Sequence, residues 1–181
     1  IGQGAITVTP LQQAHFAAEI AERGQMIATP RLVSAIRTAG STTIVPRSPR
    51  LTKPINIATS EQWDVVYDGM VGVLSPGGTA YASGVGAKYK IAGKTGTAQV
   101  FTIKQTENTR AKILDERRRD HSWFIAYAPA DDPKIAVAVG GGKGGFGATV
   151  GAPIARKGVD AYLLGGGAPA ADGVRHRLRY A

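Results

Sequence analysis

The chain contains two stretches in which apolar residues recur at helical spacing, each preceded by a helix-capping pattern. In the first stretch, Thr9 and Pro10 open a predicted helix that ends at Gly24. In the second stretch, Thr59 and Gln62 have the spacing of a capping box. Apolar residues then recur at intervals of three and four: Trp63, Val66, Tyr67, Met70, Val71 and Leu74. We interpret these Met and aromatic residues as core positions of a second amphipathic helix.

Three later segments predict β-strands. Residues 89–103 and 122–128 are extended segments, and 122–128 alternates between two faces, whereas 135–139 is apolar throughout and is therefore expected to be buried on both faces. The five-residue turn at 129–133 joins the last two strands as an antiparallel hairpin. Pro153 opens a last helix, whose expected inward residues are Ile154, Val159, Tyr162 and Leu163.

Residues 31–37 suggest a short strand, and residues 38–58 are rich in Thr, Ser and Pro and predict a loop with one small hairpin. The order of helices, three antiparallel strands and a covering helix predicts an α+β fold, an antiparallel sheet with covering helices, for residues 1–164. The tail, 165–181, is rich in Gly and Ala and then basic, so we expect it to be disordered.

Composition narrows the possible functions. A length of 181 residues allows one domain with a sizeable core, and the absence of Cys excludes disulfides and Cys-ligated zinc. The net charge of +9 suits anionic partners, but no basic stripe is interleaved with aromatic residues, so nucleic acid is not expected as a partner. The three His residues are scattered, and we expect neither a metal site nor a cofactor.

The candidate chemistry lies in residues 93–99, which read Gly-Lys-Thr-Gly-Thr-Ala-Gln. In a strand, Lys94 and Gly96 share one side, and Thr95 and Thr97 share the other. Gly96 would let a substrate backbone approach, and the N–H of Thr97 could face a developing oxyanion. The hydroxyls of Thr95 and Thr97 could hold a carboxylate, with Lys94 adding a positive field. This arrangement is half of an acyl-transfer site.

Two nucleotide-binding interpretations fail on spacing. A phosphate-binding loop would need Gly at position 88, which is Lys88, and a helix after Lys94 and Thr95, where a strand is predicted. The Gly-rich run 140–151 also joins a strand to a helix, but Lys143 is followed by Gly and not by Ser or Thr. We interpret that run as a flexible turn.

The Lys-Thr-Gly-Thr-Ala-Gln run resembles the third motif of the penicillin-binding serine transpeptidases and β-lactamases, the family marked by S-x-x-K, S-x-N and K-T-G. Further segments resemble, in order, the class B penicillin-binding proteins of the elongation type, with the division type as the nearest alternative. The resemblance covers about residues 1–164, and the matching segments are 1–4, 9–12, 30–33, 78–80, 120–129 and 152–155.

The resemblance implies a D,D-transpeptidase that cross-links peptidoglycan stem peptides. Lys94, Thr95 and Gly96 would be the K-T-G motif, and Thr97 would supply an oxyanion N–H and a carboxylate-binding hydroxyl. A serine would be acylated by a D-Ala-D-Ala donor, and β-lactams would acylate the same serine. The implied location is the periplasmic domain of an inner-membrane-anchored protein, and the implied partner is a membrane glycosyltransferase of the elongation machinery.

The chain departs from the family pattern because it contains neither S-x-x-K nor S-x-N. In the family both motifs precede the matching region, so we expect them on an upstream part of the same polypeptide and expect this chain alone to be inactive. Residues 140–142, all Gly, also replace an acidic strand end, and the loop 104–121 is expected to be a wall of the cleft. Two alternatives stay open: a β-lactam-recognising hydrolase or sensor, and a non-catalytic module that binds an anionic polymer.

Overall fold

Helices cover both faces of a four-stranded sheet. The structure is a computed structural model, and it describes residues 6–98, 120–142, 145–165 and 179–180. The sheet has the order β3-β4-β5-β6, and a separate hairpin is formed by β1 and β2. The strands are β1 Ala35–Arg37, β2 Ile44–Pro46, β3 Ala92–Ala98, β4 His121–Ala128, β5 Ile135–Gly141 and β6 Arg179–Tyr180. The helices are α1 Pro10–Ala21, α2 Ser60–Gly72, α3 Tyr81–Gly84 and α4 Gly151–Leu164.

Both predicted N-terminal caps are confirmed. Thr9 caps α1 and Thr59 caps α2, and in each case the Gln three residues later closes a capping box. The chain leaves α1 through Arg23 and Gly24, both of which have positive φ. A Cβ on Gly24 would lie 2.6 Å from the carbonyl oxygen of Ile55, so this turn requires glycine for space as well as for conformation.

The core has two parts, one on each face of the sheet. On one face, Phe124 and Val137 pack against α4 through residues such as Ala155 and Val159. On the other face, a second cluster joins α1 and α2 to the sheet: Ala17, Ala18, Ile27, Met70, Ala92, Tyr127, Ala130 and Ala136. Burial raises the pKa of the Tyr127 phenol to about 12. The expectation that 135–139 is buried on both faces is confirmed at Ile135, Ala136 and Val137, whereas Ala138 and Val139 are half-buried. Met70 is buried in the core, as expected.

The antiparallel order of the three predicted strands is confirmed. β3 pairs with β4 and β4 with β5, with Gly93 opposite Ala126 and Ala126 opposite Val137. Residues 99–103, which the sequence places in the first of these strands, lie outside the described residues. The short strand expected at 31–37 is present but begins at Ala35. It pairs with β2, so the hairpin spans β1 and β2 and does not lie within 38–58 as expected.

The last helix differs from the expectation in its start and its inward face. α4 begins at Gly151, two residues before Pro153, and its N-cap, Val150, makes no side-chain cap. Ile154, expected to face inward, is 52% exposed, whereas Ala152, Ala155 and Val159 are buried. The small residues Ala152 and Ala155 form the inward stripe because α4 packs closely on the sheet.

Most of the tail expected to be disordered lies outside the described residues. Arg179 and Tyr180 differ from that expectation, since they form β6 and pair in parallel with Ile135 and Ala136.

In the described part of the chain, no helix is long and apolar enough to cross a membrane.

A polar cluster ties α4 to the segment that leads into β3. Nε of Arg156 lies 2.8 Å from a carboxylate oxygen of Asp160, and the Tyr89 hydroxyl donates to that carboxylate at 2.6 Å. Nη1 of Arg156 also donates to the carbonyl oxygens of Ser83 at 2.9 Å and Val85 at 3.3 Å. The Arg156 guanidinium therefore binds carbonyl groups at the end of α3 and also positions the Asp160 carboxylate. That carboxylate accepts the hydrogen bond of Tyr89, which lies three residues before β3 begins.

The cluster changes the acidity of two of its members. Burial raises the pKa of the Tyr89 phenol, and its hydrogen bond to Asp160 raises that pKa further. Burial also acts to raise the pKa of Asp160, but hydrogen bonds from Tyr89 and Arg156, with the nearby positive charges, outweigh it. The pKa of Asp160 therefore lies below its ordinary value of 3.8.

Gly93→Ala tests the packing beneath β3. A Cβ on Gly93 would lie 2.6 Å from Cζ of Phe124, a side chain that is 1% exposed. We expect the free energy of unfolding to fall by about 1–3 kcal/mol, measured by urea unfolding of a protein that includes the expected upstream segment. Gly69→Ala is the control, because no atom lies within 4 Å of its Cβ position in α2. It should stabilise by up to about 1 kcal/mol, and equal losses in both variants would contradict the packing argument.

Asp160→Asn tests the polar cluster through pH. Because the folded-state pKa of Asp160 is depressed, its stabilisation is present above the unfolded-state pKa and is lost as pH falls through the folded-state pKa. We expect a loss of about 1–2 kcal/mol at pH 7, shrinking below pH 3.8. Asp132→Asn, which removes a surface pair with Lys134, should change stability by less than about 0.5 kcal/mol. A pH-independent loss at Asp160 would show that its charge is not the stabilising element.

Candidate functional site

β3 carries the Lys-Thr-Gly-Thr run along one side of the sheet. It pairs with β4 over its whole length, from Ala92 opposite Tyr127 to Ala98 opposite His121. Within the described residues, β4 is the only strand that pairs with β3. The run is thus held on one side by the central strand β4. In the described part of the chain, no strand pairs with the other edge of β3, and we call it the open edge. Strand addition by an extended peptide requires such an edge.

Lys94 reaches along the strand and does not extend away from it. Its Nζ donates to the carbonyl oxygen of Thr95 at 2.7 Å, and the side chain is exposed. This contact indicates that the Thr95 carbonyl is accessible from outside the β3–β4 pairing. Because the N–H and C=O of alternate residues point toward the same edge of a strand, Thr97 shares the edge of Thr95. The ammonium and these backbone groups therefore lie at the same edge.

The two threonines lie on the opposite face from Lys94, as the alternation predicts. Thr95 is opposite Phe124, and Thr97 is opposite Ser122, on the face that α4 covers. Both threonines are half-buried. Their hydroxyls are thus on one side of the strand and the Lys94 stem is on the other, so an anion held by all three has to lie at the edge between the two faces.

Gly96 has less room than the sequence suggested. A Cβ on Gly96 would lie 3.2 Å from Cβ of Trp123, so the side of Gly96 is in contact with β4 and is not empty. On the other face, a Cβ on Gly147 would lie 2.7 Å from O and 3.0 Å from N of Gly96. Both faces of the strand at Gly96 are therefore covered, and a substrate backbone can approach β3 along its edge.

Gly147 is a site-forming residue that sequence reasoning missed. The Gly-rich run was interpreted as a flexible turn, yet Gly147 is buried against the backbones of Gly96 and Trp123. Gly140 likewise lies under the Trp123 ring, where a Cβ would be 3.0 Å from Cη2. These glycines permit close packing, and the strand-to-helix position of the run was the available signal.

The serine nearest to the run across the sheet is not placed as a nucleophile. Ser122 pairs with Thr97, but it is fully buried and its hydroxyl donates to the carbonyl oxygen of Gly141 at 3.5 Å. Among the described residues, no group of three or more acidic or His side chains is placed to hold a metal ion. The described part of the site can hold and polarise a carbonyl group, but it brings no activated nucleophile to it. Residues 104–119 of the expected cleft wall lie outside the described residues.

Comparison with known proteins agrees with this geometry. Residues 1–160 match the model of the penicillin binding protein transpeptidase domain. The peptidoglycan D,D-transpeptidase MrdA of Haemophilus influenzae is 39% identical over 164 residues, which are 90% of this chain and 25% of that protein. The chain thus spans about a quarter of the length of this curated relative.

Solved structures show the same fold. Penicillin-binding protein 2 of Pseudomonas aeruginosa, in complex with WCK 5153, is 35% identical with a TM-score of 0.68, covering 96% of this chain and 35% of that one. A ceftriaxone acyl-enzyme complex of penicillin-binding protein A from Mycobacterium tuberculosis is 31% identical with a TM-score of 0.71, covering 90% and 34%. With a family match over residues 1–160, the chain belongs to the penicillin-binding protein transpeptidase domain family.

Proposed function

We propose that the protein containing this chain is a peptidoglycan D,D-transpeptidase of the elongation type. The observation that carries the proposal is the Lys-Thr-Gly-Thr run on the open edge of β3, in a chain of the transpeptidase family. A relative carries the name peptidoglycan D,D-transpeptidase, and another forms an acyl-enzyme with a β-lactam. The proposed substrates are stem peptides ending in D-Ala-D-Ala, with β-lactams as inhibitors.

In this proposal, β3 binds and polarises the acyl donor. The donor peptide lies along the open edge, and the backbone N–H of Thr97 donates to the carbonyl oxygen that becomes the oxyanion. The hydroxyls of Thr95 and Thr97 bind the terminal carboxylate of the donor, and Lys94 adds positive charge. Since both faces of β3 are covered at Gly96, the donor backbone approaches β3 along that edge.

The nucleophile comes from the upstream part of the same polypeptide. A serine Oγ forms a bond to the penultimate D-Ala carbonyl carbon, its proton passes to a base, and the terminal D-Ala leaves as an amine. An acceptor amine then attacks the ester and releases the serine. We also propose a periplasmic position with an inner-membrane anchor and a glycosyltransferase partner, which the family resemblance supports.

A β-lactam-recognising hydrolase or sensor of the same fold would share this half-site. The difference lies in the fate of the acyl-enzyme, since a hydrolase releases it with water, and a transpeptidase holds it for an amine. Turnover of a chromogenic β-lactam would favour the hydrolase. The protein to be tested is this chain together with the expected upstream segment, which we call the longer protein.

Labelling by a fluorescent penicillin tests the proposal. The longer protein should form a covalent adduct, and Lys94→Gln should lower the acylation rate about 10- to 100-fold through weaker transition-state stabilisation. Lys90→Gln is the matched control, because Lys90 is an exposed lysine four residues upstream and precedes β3. Its rate should change less than twofold. Absence of any adduct with an intact upstream serine would contradict the proposed function.

The isolated chain should form no adduct. We expect the purified 181 residues to show no acylation burst with a β-lactam, because the sequence contains no S-x-x-K, the pattern that would place an activating lysine beside a nucleophilic serine. Mass spectrometry of the protein after incubation measures this. An adduct on a residue of this chain would place the nucleophile here and contradict the division of the site between two segments.

A further inference from the structure

The segment between α1 and α2 carries an unusual charge. Residues 25–60 contain five Lys or Arg and no Asp or Glu, a net charge of +5 against +9 for the whole chain. The basic residues are Arg31, Arg37, Arg47, Arg50 and Lys53. This segment contains the β1–β2 hairpin, which forms a sheet separate from the one that contains β3. Such a local excess of one sign attracts anions.

Three of these arginines line one groove. The groove has a volume of about 370 Å³, and Arg31, Arg47 and Arg50 line it together with Thr29, Leu32 and Ser48. The volume lies within the range of small-ligand sites and suits a few residues of peptide. A folded protein partner would need a much larger contact surface.

The walls of the groove are held by hydrogen bonds between its two chain segments. The backbone N–H of Thr29 donates to the Arg50 carbonyl at 2.8 Å, and that of Arg47 donates to the Ser34 carbonyl at 2.9 Å. The Arg31 guanidinium donates to the Arg47 carbonyl across the groove. Two chain segments joined by backbone hydrogen bonds therefore form the groove, and guanidinium groups line it.

Two guanidinium groups are available to a ligand. Arg47 and Arg50 are exposed, and the ion pairs within the described ranges involve other side chains. Guanidinium groups bind carboxylates through two parallel hydrogen bonds. Beside them, Leu32 is fully exposed and offers an aliphatic surface. The lining thus matches a short peptide that has carboxylates and small apolar side chains.

Other anions fit less well. Residues 25–60 contain no Phe, Tyr or Trp. Single-stranded nucleic acid is bound on aromatic stacking platforms, and membrane interfaces are contacted through Trp and Tyr belts. The absence of aromatic residues disfavours single-stranded nucleic acid, and the concave shape of the groove suits a short peptide better than a flat membrane surface. A peptide carboxylate is therefore the favoured ligand.

We propose that this groove binds the carboxylates of an uncross-linked cell-wall stem peptide, at a position separate from the β3 edge. The inference rests on the proposed function, which supplies a substrate polymer whose stems are short carboxylate-bearing peptides. The groove holds a glycan strand near the enzyme through a stem that is not itself being acylated.

Binding of soluble uncross-linked peptidoglycan strands to the longer protein tests this, measured by fluorescence anisotropy at fixed salt. The double variant Arg47→Gln/Arg50→Gln should weaken binding about tenfold, since two charge-assisted contacts are lost. The control Arg37→Gln/Lys53→Gln removes the same charge from the segment but outside the groove lining, and should weaken binding less than twofold. Equal losses in both double variants would overturn the proposal in favour of a diffuse charge effect.

Further binding measurements, with chemically modified strands and with other anionic ligands, test whether the groove binds carboxylates. Strands whose stem carboxylates have been amidated should bind the wild-type protein as weakly as native strands bind the groove variant; unchanged binding would overturn the carboxylate assignment. If the groove variant instead loses affinity for anionic phospholipid vesicles or single-stranded RNA and not for the strands, the proposed ligand is wrong. Penicillin labelling should be equal in wild type and both double variants. If penicillin does not label the protein but the groove variant still loses affinity for the strands, the proposed function is wrong and the inference about the groove stands. If penicillin labels the protein but the groove variant binds strands normally, the inference about the groove is wrong.

Discussion

The pairing of β3 with β4 determines where every residue of the Lys-Thr-Gly-Thr run lies. β4 has core on both faces, because Phe124 packs toward α4 and Tyr127 packs toward α1. Its position is therefore fixed from two sides. A one-residue slip of β3 along it would exchange the faces of Lys94 and Thr95. The register that brings an ammonium and two hydroxyls to one edge is a consequence of core packing.

Glycines at three positions around β3 and β4 permit close packing. Gly93 leaves space for the Phe124 ring below the strand, and Gly147 approaches the Gly96 backbone from the α4 side. Gly140 lies beneath Trp123 on the opposite face. A Cβ would lie 2.6 Å from Cζ of Phe124 at Gly93 and 2.7 Å from the carbonyl oxygen of Gly96 at Gly147, so the packing at these two positions requires glycine. Because both faces are covered at these points, the open edge of β3 is where backbone hydrogen bonding to an extended peptide is geometrically possible.

Local signals in the sequence were sufficient for much of this arrangement. Both capping boxes, the periodicity that places Met70 in the core and the alternation of β4 are properties of neighbouring residues, and the structure confirms them. The start of α4 was misplaced because its N-cap, Val150, makes no capping hydrogen bond, which left Pro153 as the visible signal. Ile154 differs from its expected inward position because the contact face at the start of α4 is formed by Ala152 and Ala155, with Val159 following them.

Contacts between distant residues could not be predicted in the same way. Tyr89 and Asp160 are 71 residues apart, and Arg156 and Ser83 are 73 apart, so no local pattern links them. The close approach of Gly147 to Gly96 is likewise a result of tertiary packing. Side-chain chemistry could be inferred at the site, but the surroundings that limit access to it depend on which elements meet.

The Arg156 cluster has a consequence for the order in which the protein can mature. The segment that enters β3 is held by a helix that ends at Leu164, some seventy residues later in the chain. Because synthesis proceeds from the N-terminus, the Lys-Thr-Gly-Thr run is made well before α4, the helix that holds the segment leading into β3. The open edge of β3 therefore reaches its final geometry only when α4 has docked, so an unfinished chain carries the Lys-Thr-Gly-Thr run without its final surroundings.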